Sequence, residues 1–399
     1  MLRFFLFAIP LVLSACATQP AQKKETANYD QFLQNFIQKY DFPGASLAIA
    51  KNGKIIHTST AGYANVEKKT APTPETVFRI ASATKPITAI AVFQLLEQSN
   101  TDINAALNRP VFGVKGYLPE YSKIKDKRVL KITLRDLLQH TGGWDSSKND
   151  YDPQYDLYNI AKKMKVKAPA DAKSVIRYML QYKNLEVDPG KEYHYSNLGY
   201  NILARVIEKL SGETYEQYVL NHIMKPVGIT DMKIAGSREK DLLPNEARYY
   251  DDPRAPWAIS QWDGKTKGPL AYNEFYFPTM DGHGGWLGTP SDLIKILHAV
   301  TPELGGVQLL KSETVKIMTA PVVNTGNPTA GLGWVIREEG KDISHAGALE
   351  NGTLSYFVRR SDSSAWAVVF NRLPIEDLSE LGPLAQDMIE QMNAELSKR

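Results

Sequence analysis

The chain has one cysteine, no repeated segment, no low-complexity tract and no apolar run long enough to cross a bilayer in its 399 residues. A lone Cys16 excludes intramolecular disulfides. Excess charge is scarce too. Forty-seven basic and 44 acidic residues leave a formal net charge of +3 with no long basic run, so nucleic acid is not expected as a partner. His140 and His283 lie beside glycines, but no His/Asp/Glu spacing matches a metal-ligand set. His140 is read as structural, and no metal or cofactor is expected. What remains is ordinary globular composition, 43% hydrophobic and 23% charged, with enough length for a large core. Length alone leaves the domain count open.

The position of Cys16 says more than its solitude. Arg3 precedes an apolar run from Phe4 to Val12, too short for a membrane span and suited to a signal-peptide core. Leu13-Ser14-Ala15-Cys16 resembles the bacterial lipobox, in which the cysteine is lipidated and becomes the new N-terminus. Several acyl chains on one cysteine anchor a protein stably where a single chain does not. Ala17 after the cysteine, by the same resemblance, implies the outer membrane of a Gram-negative cell, facing the periplasm. The reading is therefore a signal peptide over 1–15, a lipidated tether over 16–28, small, polar and Pro-containing, and a folded region from 29 onwards.

Periodicity predicts a helix from Tyr29, whose apolar face carries Phe32, Leu33, Phe36, Ile37 and Tyr40. Apolar strands over 45–50 and 55–58 flank Asn52-Gly53, a tight-hairpin signal. Helices are predicted over 82–97, 133–140 and 198–210, strands over 333–336, 354–358 and 366–370, and a closing helix from about 378. Residues 237–285 carry many aromatics but little periodicity, which suggests a functional rim. Strands early, helices in the middle and strands late predict an α+β fold: one antiparallel sheet built from both chain ends, with helices inserted over about 85–285.

Ser82-Ala83-Thr84-Lys85-Pro86 is the segment with chemistry. Positions i and i+3 share a helix face, so Ser82 and Lys85 can meet. Pro86 has no N–H and fits only a first turn, so the helix is expected to begin at about Ser82, with its positive end at the Ser82 hydroxyl. Burial there would depress the Lys85 pKa and free an amine to take the serine proton. Ser-x-x-Lys alone is a weak signal. Ser122-Lys123-Ile124-Lys125 is a second match, read as a solvated loop.

Later come Tyr195-Ser196-Asn197 and His345-Ala346-Gly347, with flanks 134–143 and 284–289. In this order the three motifs resemble those of the serine β-lactamase and penicillin-binding superfamily, in the branch of class C β-lactamases, D-Ala-D-Ala peptidases and related esterases. The resemblance spans about residues 30–395 and implies a single β-lactamase/transpeptidase-like domain over 29–399. It implies that Ser82 forms an acyl-enzyme, Lys85 takes its proton, Tyr195 relays it to the leaving group and Asn197 holds Lys85 and the substrate amide. It also implies a role for His345 in the site and for Gly347 in substrate binding, and an oxyanion hole from the backbone N–H groups of Ser82 and Ala348. Tyr195 would need a cationic Lys85 or His345 to lower its pKa. Trp144 and Trp286 sit beside Gly pairs and line either the cleft or the core.

Departures from the family pattern narrow the function. Class C β-lactamases have Lys-Thr-Gly where this chain has His345-Ala346-Gly347. A histidine charge is only partial at neutral pH, and Ala346 lacks the hydroxyl that helps bind a substrate carboxylate in the family. The expectation is an esterase-like serine hydrolase with poor β-lactamase activity. A D-Ala-D-Ala carboxypeptidase or D-amino-acid peptidase acting on peptidoglycan is the alternative, and a non-catalytic penicillin or muropeptide sensor a third. Its partners are then a small-molecule or peptidoglycan-derived substrate and, through the anchor, a membrane.

Overall fold

The computed structural model describes residues 27–99, 101–149, 151–322, 325–337, 342–350, 352–374 and 380–398. The signal peptide, Cys16 and most of the tether lie outside the described residues. Among the described residues no helix is long and apolar enough to cross a membrane.

Helix α1 (Tyr29–Lys39) leads into the hairpin of β1 (Gly44–Lys51) and β2 (Lys54–Gly62). Asn52 and Gly53 both take positive φ at its tip, 49° and 76°, as the Asn-Gly pair dictates. The middle of the chain supplies α2 (Thr84–Gln98), α3 (Leu134–Leu138), α4 (Asn197–Ser211) and α5 (Pro290–His298). The chain then returns to strands: β3 (Val335–Arg337), β4 (Asp342–Leu349), β5 (Thr353–Arg359) and β6 (Ser364–Phe370). It ends in α6 (Leu381–Ser397).

The sheet order is β2-β1-β6-β5-β4-β3, and every neighbouring pair is antiparallel. The first and last strands lie side by side, with Ala45 opposite Phe370 and Lys51 opposite Ser364. This is the sheet built from both ends that the sequence pattern predicts. Alternation along β6 serves two cores. Trp366, Val368 and Phe370 face α1 and α6, with Phe36, Met388 and Met392. Ala365, Ala367 and Val369 face the inserted helices. Their small size lets α5 lie close on that face. Helix α2 is buried on every side from Thr84 to Leu96, which explains its near-uniform apolarity.

Two expectations are corrected here. The nucleophile segment does not start an α-helix. Ala81–Ala83 form a 3-10 turn, and the α-helix begins at Thr84. Pro86 still falls in the first α-helical turn, where its missing N–H costs nothing. Residues 237–285 are also less of a rim than their aromatics suggest. Tyr249, Tyr272 and Phe275 are buried, and Trp257 is exposed. The Arg79 guanidinium, fully buried, lies 4.0 Å from the Tyr249 ring centroid and 4.5 Å from that of Phe277. Its Nη1 donates to the Ala271 carbonyl at 2.6 Å and its Nη2 to that of Gly236 at 3.1 Å. Those aromatics wrap a buried cation behind the Ser82 turn.

The same turn is pinned to the sheet. Thr353 Oγ1 donates to the Arg79 carbonyl at 2.9 Å, and Ser355 Oγ to that of Ile80 at 2.7 Å. Gly347 packs against this turn, where a Cβ would sit 2.2 Å from the Ile80 oxygen and 2.9 Å from the Ala83 nitrogen. Its missing side chain allows this close approach of backbone to backbone. Gly347→Ala is therefore expected to destabilise the fold by about 1–3 kcal/mol or more and to slow acylation of Ser82. Urea unfolding checks this against Gly382→Ala, where nothing lies within 4 Å and stability should hold or rise slightly.

Candidate active site

Ser82, Lys85, Tyr195, Asn197 and His345 come from three separate parts of the chain, and the fold brings them to one cleft. Ser82 sits in the 3-10 turn, after Ala81 at φ 48°, a left-handed conformation for a residue with a Cβ. Lys85, in the first turn of α2, is fully buried. Its Nζ lies 3.0 Å from Ser82 Oγ, 2.8 Å from Asn197 Oδ1 and 3.0 Å from the His283 carbonyl oxygen.

Two of those three partners can only accept. A neutral amine has two N–H donors and one lone pair. The amide and carbonyl oxygens take the donors, and the lone pair is left for the Ser82 O–H. Burial drives the Lys85 pKa well below its ordinary value, with Asp152 partly opposing it. Burial thus favours the amine, and these three contacts accommodate it.

Tyr195 and Asn197 flank the start of α4, where Ser196 caps the helix by accepting from the Gly199 N–H. The Tyr195 hydroxyl donates to Ser82 Oγ at 2.8 Å. Desolvation in the cleft pushes the Tyr195 pKa up, not down as the sequence reading requires, even though 38% of the residue is exposed, and the hydrogen bond to Ser82 offsets this only in part. Tyr195 is therefore a proton donor in the resting site. His140, at φ 61° just after α3, stacks on the Tyr195 ring at 4.5 Å and 27°. Its Nδ1 accepts from the Ser196 N–H at 3.1 Å. Burial drives its pKa well below the ordinary histidine value. It braces the Tyr195-Ser196-Asn197 segment, in line with a structural reading.

His345, on β4, is buried and its pKa is pushed down to about 3, mainly by burial and secondarily by Lys85. Its Nδ1 lies 2.5 Å from the Ala346 carbonyl oxygen, which assigns the proton to Nδ1. The partial positive charge expected from its residue type is absent at neutral pH. Ser82, Asp152, Tyr195, Asn197, His345 and Ala348 all line one cleft of about 570 Å³. Trp144 is nearly buried and lines an adjoining cavity of about 440 Å³ that shares Asp152, Tyr195 and Asn197. Trp286 is fully buried in the main core, with its ring edge toward Tyr215, so its assignment to substrate binding is corrected. Ser122, Lys123 and Lys125 are exposed, as a solvated loop should be. Among the described residues no group of three or more His, Cys, Asp or Glu side chains could hold a metal.

Sequence reasoning missed Asp152 and the His283 carbonyl. Asp152 Oδ2 accepts from Asn197 Nδ2 at 2.8 Å, while Oδ1 caps the 3-10 turn Pro153–Tyr155 through the Gln154 N–H at 3.0 Å. Asp152-Pro153 has the look of an N-cap followed by proline, a local signal that says nothing of the cleft.

A buried neutral lysine carries a stability signature. The folded-state pKa is depressed, so the unfolded chain binds the extra proton between that value and about 10.4. Stability should rise with pH across this window. Lys85→Met is expected to remove that rise along with Ser82 acylation, as thermal unfolding at several pH values and covalent labelling would show.

The profile of the Beta-lactamase family matches residues 29–387. Protein flp of Staphylococcus aureus (strain MW2) is 27% identical over 343 residues, covering 85% of this chain and 61% of that protein. The chain thus spans less than two thirds of that relative's length. The N-acetylmuramyl-L-alanine amidase of Bacillus subtilis (strain 168) is 26% identical over 352 residues, 82% of this chain and 74% of that one. The crystal structure of the D-amino acid amidase from Ochrobactrum anthropi SV3, in complex with L-phenylalanine, superposes with a TM-score of 0.69. It is 21% identical and covers 92% of this chain and 98% of its own, a likeness of fold. With the family matched over most of its length, the chain belongs to the Beta-lactamase family and has the β-lactamase/transpeptidase fold.

Proposed function

We propose that the protein hydrolyses esters or amides through an acyl-enzyme on Ser82, and that its preferred substrates carry no carboxylate beside the scissile bond. The charge of the cleft carries this reading. Among the described residues lining it, the charged side chains are Asp152 and Glu350, both acidic, and neither Lys nor Arg is present. His345 is neutral and Ala346 has no hydroxyl. A charged hydrogen bond to a carboxylate is worth about 1.5–3 kcal/mol, and this cleft offers none from a cation.

The chemistry follows from the hydrogen bonds. As Ser82 Oγ attacks the carbonyl carbon, its proton passes to the Lys85 lone pair. The backbone N–H groups of Ser82 and Ala348 hold the developing oxyanion. Tyr195 gives its proton to the departing alcohol or amine. Water then attacks the acyl-enzyme and returns a proton to Tyr195, while Lys85 returns one to Ser82, restoring the resting site. Activity should fall as pH drops through the depressed Lys85 pKa, because the ammonium has no lone pair to accept the proton.

A panel of p-nitrophenyl esters, D-amino-acid amides, nitrocefin and a D-Ala-D-Ala peptide, assayed with wild type and Ser82→Ala, tests this. Esters or amides are expected to lead in kcat/KM, with all turnover lost in Ser82→Ala. His345→Lys with Ala346→Thr should raise kcat/KM for nitrocefin by roughly 10–100-fold, the worth of a restored anion contact. Nitrocefin turnover by wild type above that of the esters contradicts the reading. Release of D-Ala as the leading activity would favour a peptidoglycan carboxypeptidase, the second reading. Absence of covalent labelling at Ser82 would favour the muropeptide-sensor reading.

For location, we propose that Cys16 is lipidated and tethers the enzyme to the envelope, on the strength of Leu13-Ser14-Ala15-Cys16 after an apolar run. Cys16→Ser is expected to move the protein to the soluble fraction. Retention in the membrane fraction contradicts the anchor.

A further inference from the structure

Asn197 can present either end of its amide to Lys85, and only one end supports the chemistry. With Oδ1 inward it accepts a Lys85 N–H, as observed at 2.8 Å. With Nδ2 inward it would donate to the Lys85 lone pair and occupy the site that must receive the Ser82 proton. Nothing in Asn197 itself chooses between the two. The choice is made one bond further out, where Asp152 Oδ2 lies 2.8 Å from Asn197 Nδ2. Burial raises the Asp152 pKa, and the hydrogen bonds from Gln154 and Asn197 oppose this; in the ionised form both oxygens can only accept, so the amide turns its N–H outward. We propose that Asp152 is a positioning residue for the reaction: it fixes the Asn197 amide so that Lys85 keeps its lone pair toward Ser82.

The arrangement is built. Asp152 is fastened by its second oxygen to the Gln154 N–H, at the head of a turn whose Pro153 and Gln154 are buried. A run of hydrogen bonds then leads from Asp152 through Asn197 and Lys85 to Ser82 at 2.8, 2.8 and 3.0 Å. The carboxylate also acts through space, since its charge favours the protonated form of Lys85 and opposes the burial that depresses it. The other titratable groups around this run are Tyr155 and Tyr195, next to Asp152, and His140, His283 and His345, next to Lys85. Burial pushes both tyrosines up and all three histidines down. Within the run itself, Lys85 and Asp152 are the groups that shape the acid limb of the acylation profile.

The proposal rests on Ser82 being the nucleophile, and the test separates the two. Ser82 is labelled with a fluorophosphonate over a range of pH in wild type, Asp152→Asn and Asp152→Ala, with thermal unfolding of each to confirm folding. Asp152→Asn keeps an acceptor for Asn197 but adds a donor and loses the charge, so the amide is no longer forced one way. Its plateau rate should fall, though by less than in Asp152→Ala, while the acid limb moves to lower pH. Asp152→Ala loses the acceptor, and its plateau rate should fall at least tenfold. Wild-type and unchanged profiles in both folded variants overturn the proposal. So does an equal loss in both with the limb unmoved, which marks a merely structural role. Failure of wild type to label at Ser82 overturns the underlying reading instead.

Discussion

The site depends on a lysine whose charge the fold penalises by burial. Lys85 is buried in the first turn of α2 with two accept-only oxygens at 2.8 and 3.0 Å and a hydroxyl at 3.0 Å. Burying an ammonium is costly unless it is paired, and the nearest carboxylate, Asp152, reaches it only through Asn197. The amine form relieves that cost and points its lone pair at Ser82. Most other features of the site serve to keep this geometry. The Asn197 amide is turned the right way, the His283 carbonyl takes the second N–H, and His140 braces the segment that carries Tyr195 and Asn197.

That constraint reaches into the architecture. The Ser82 turn includes a left-handed alanine and is tied down on both sides. Hydroxyls of Thr353 and Ser355 grip it from β5, while the Tyr249, Tyr272 and Phe277 rings enclose Arg79 behind it. Gly347 lets β4 approach the turn without a side chain between them. Strain at a nucleophile of the order of ~1–3 kcal/mol persists only where the surroundings over-determine it, and here they do.

The sequence made the core of this legible. Ser82 and Lys85 share a helix face by spacing, Asn52-Gly53 marks the hairpin, and strands at both ends announce the sheet. The three ordered motifs then collect the remaining site residues by resemblance. What stayed hidden depends on contacts far apart in the chain. Asp152 meets Asn197 across 45 residues, and the His283 carbonyl meets Lys85 across 198. A backbone carbonyl has no residue signature at all. Charge states were misjudged for the same reason: the reference pKa of a histidine or tyrosine says nothing of burial, which drives His345 down to about 3 and Tyr195 up. Composition left Trp286 open between cleft and core and suggested a rim over 237–285, yet Trp286 lies in the main core and Tyr249, Tyr272 and Phe277 enclose Arg79 behind the nucleophile.

The most direct test of this account is the titration of Lys85 itself. The folded, active protein carries isotope-labelled lysine, and the Lys85 Nζ resonance, assigned with Lys85→Arg, is followed by NMR over a wide pH range. The account requires the Lys85 side chain to be neutral at pH values where the surface lysines remain charged, with a midpoint well below about 10.4. A Lys85 that titrates together with the surface lysines would contradict it.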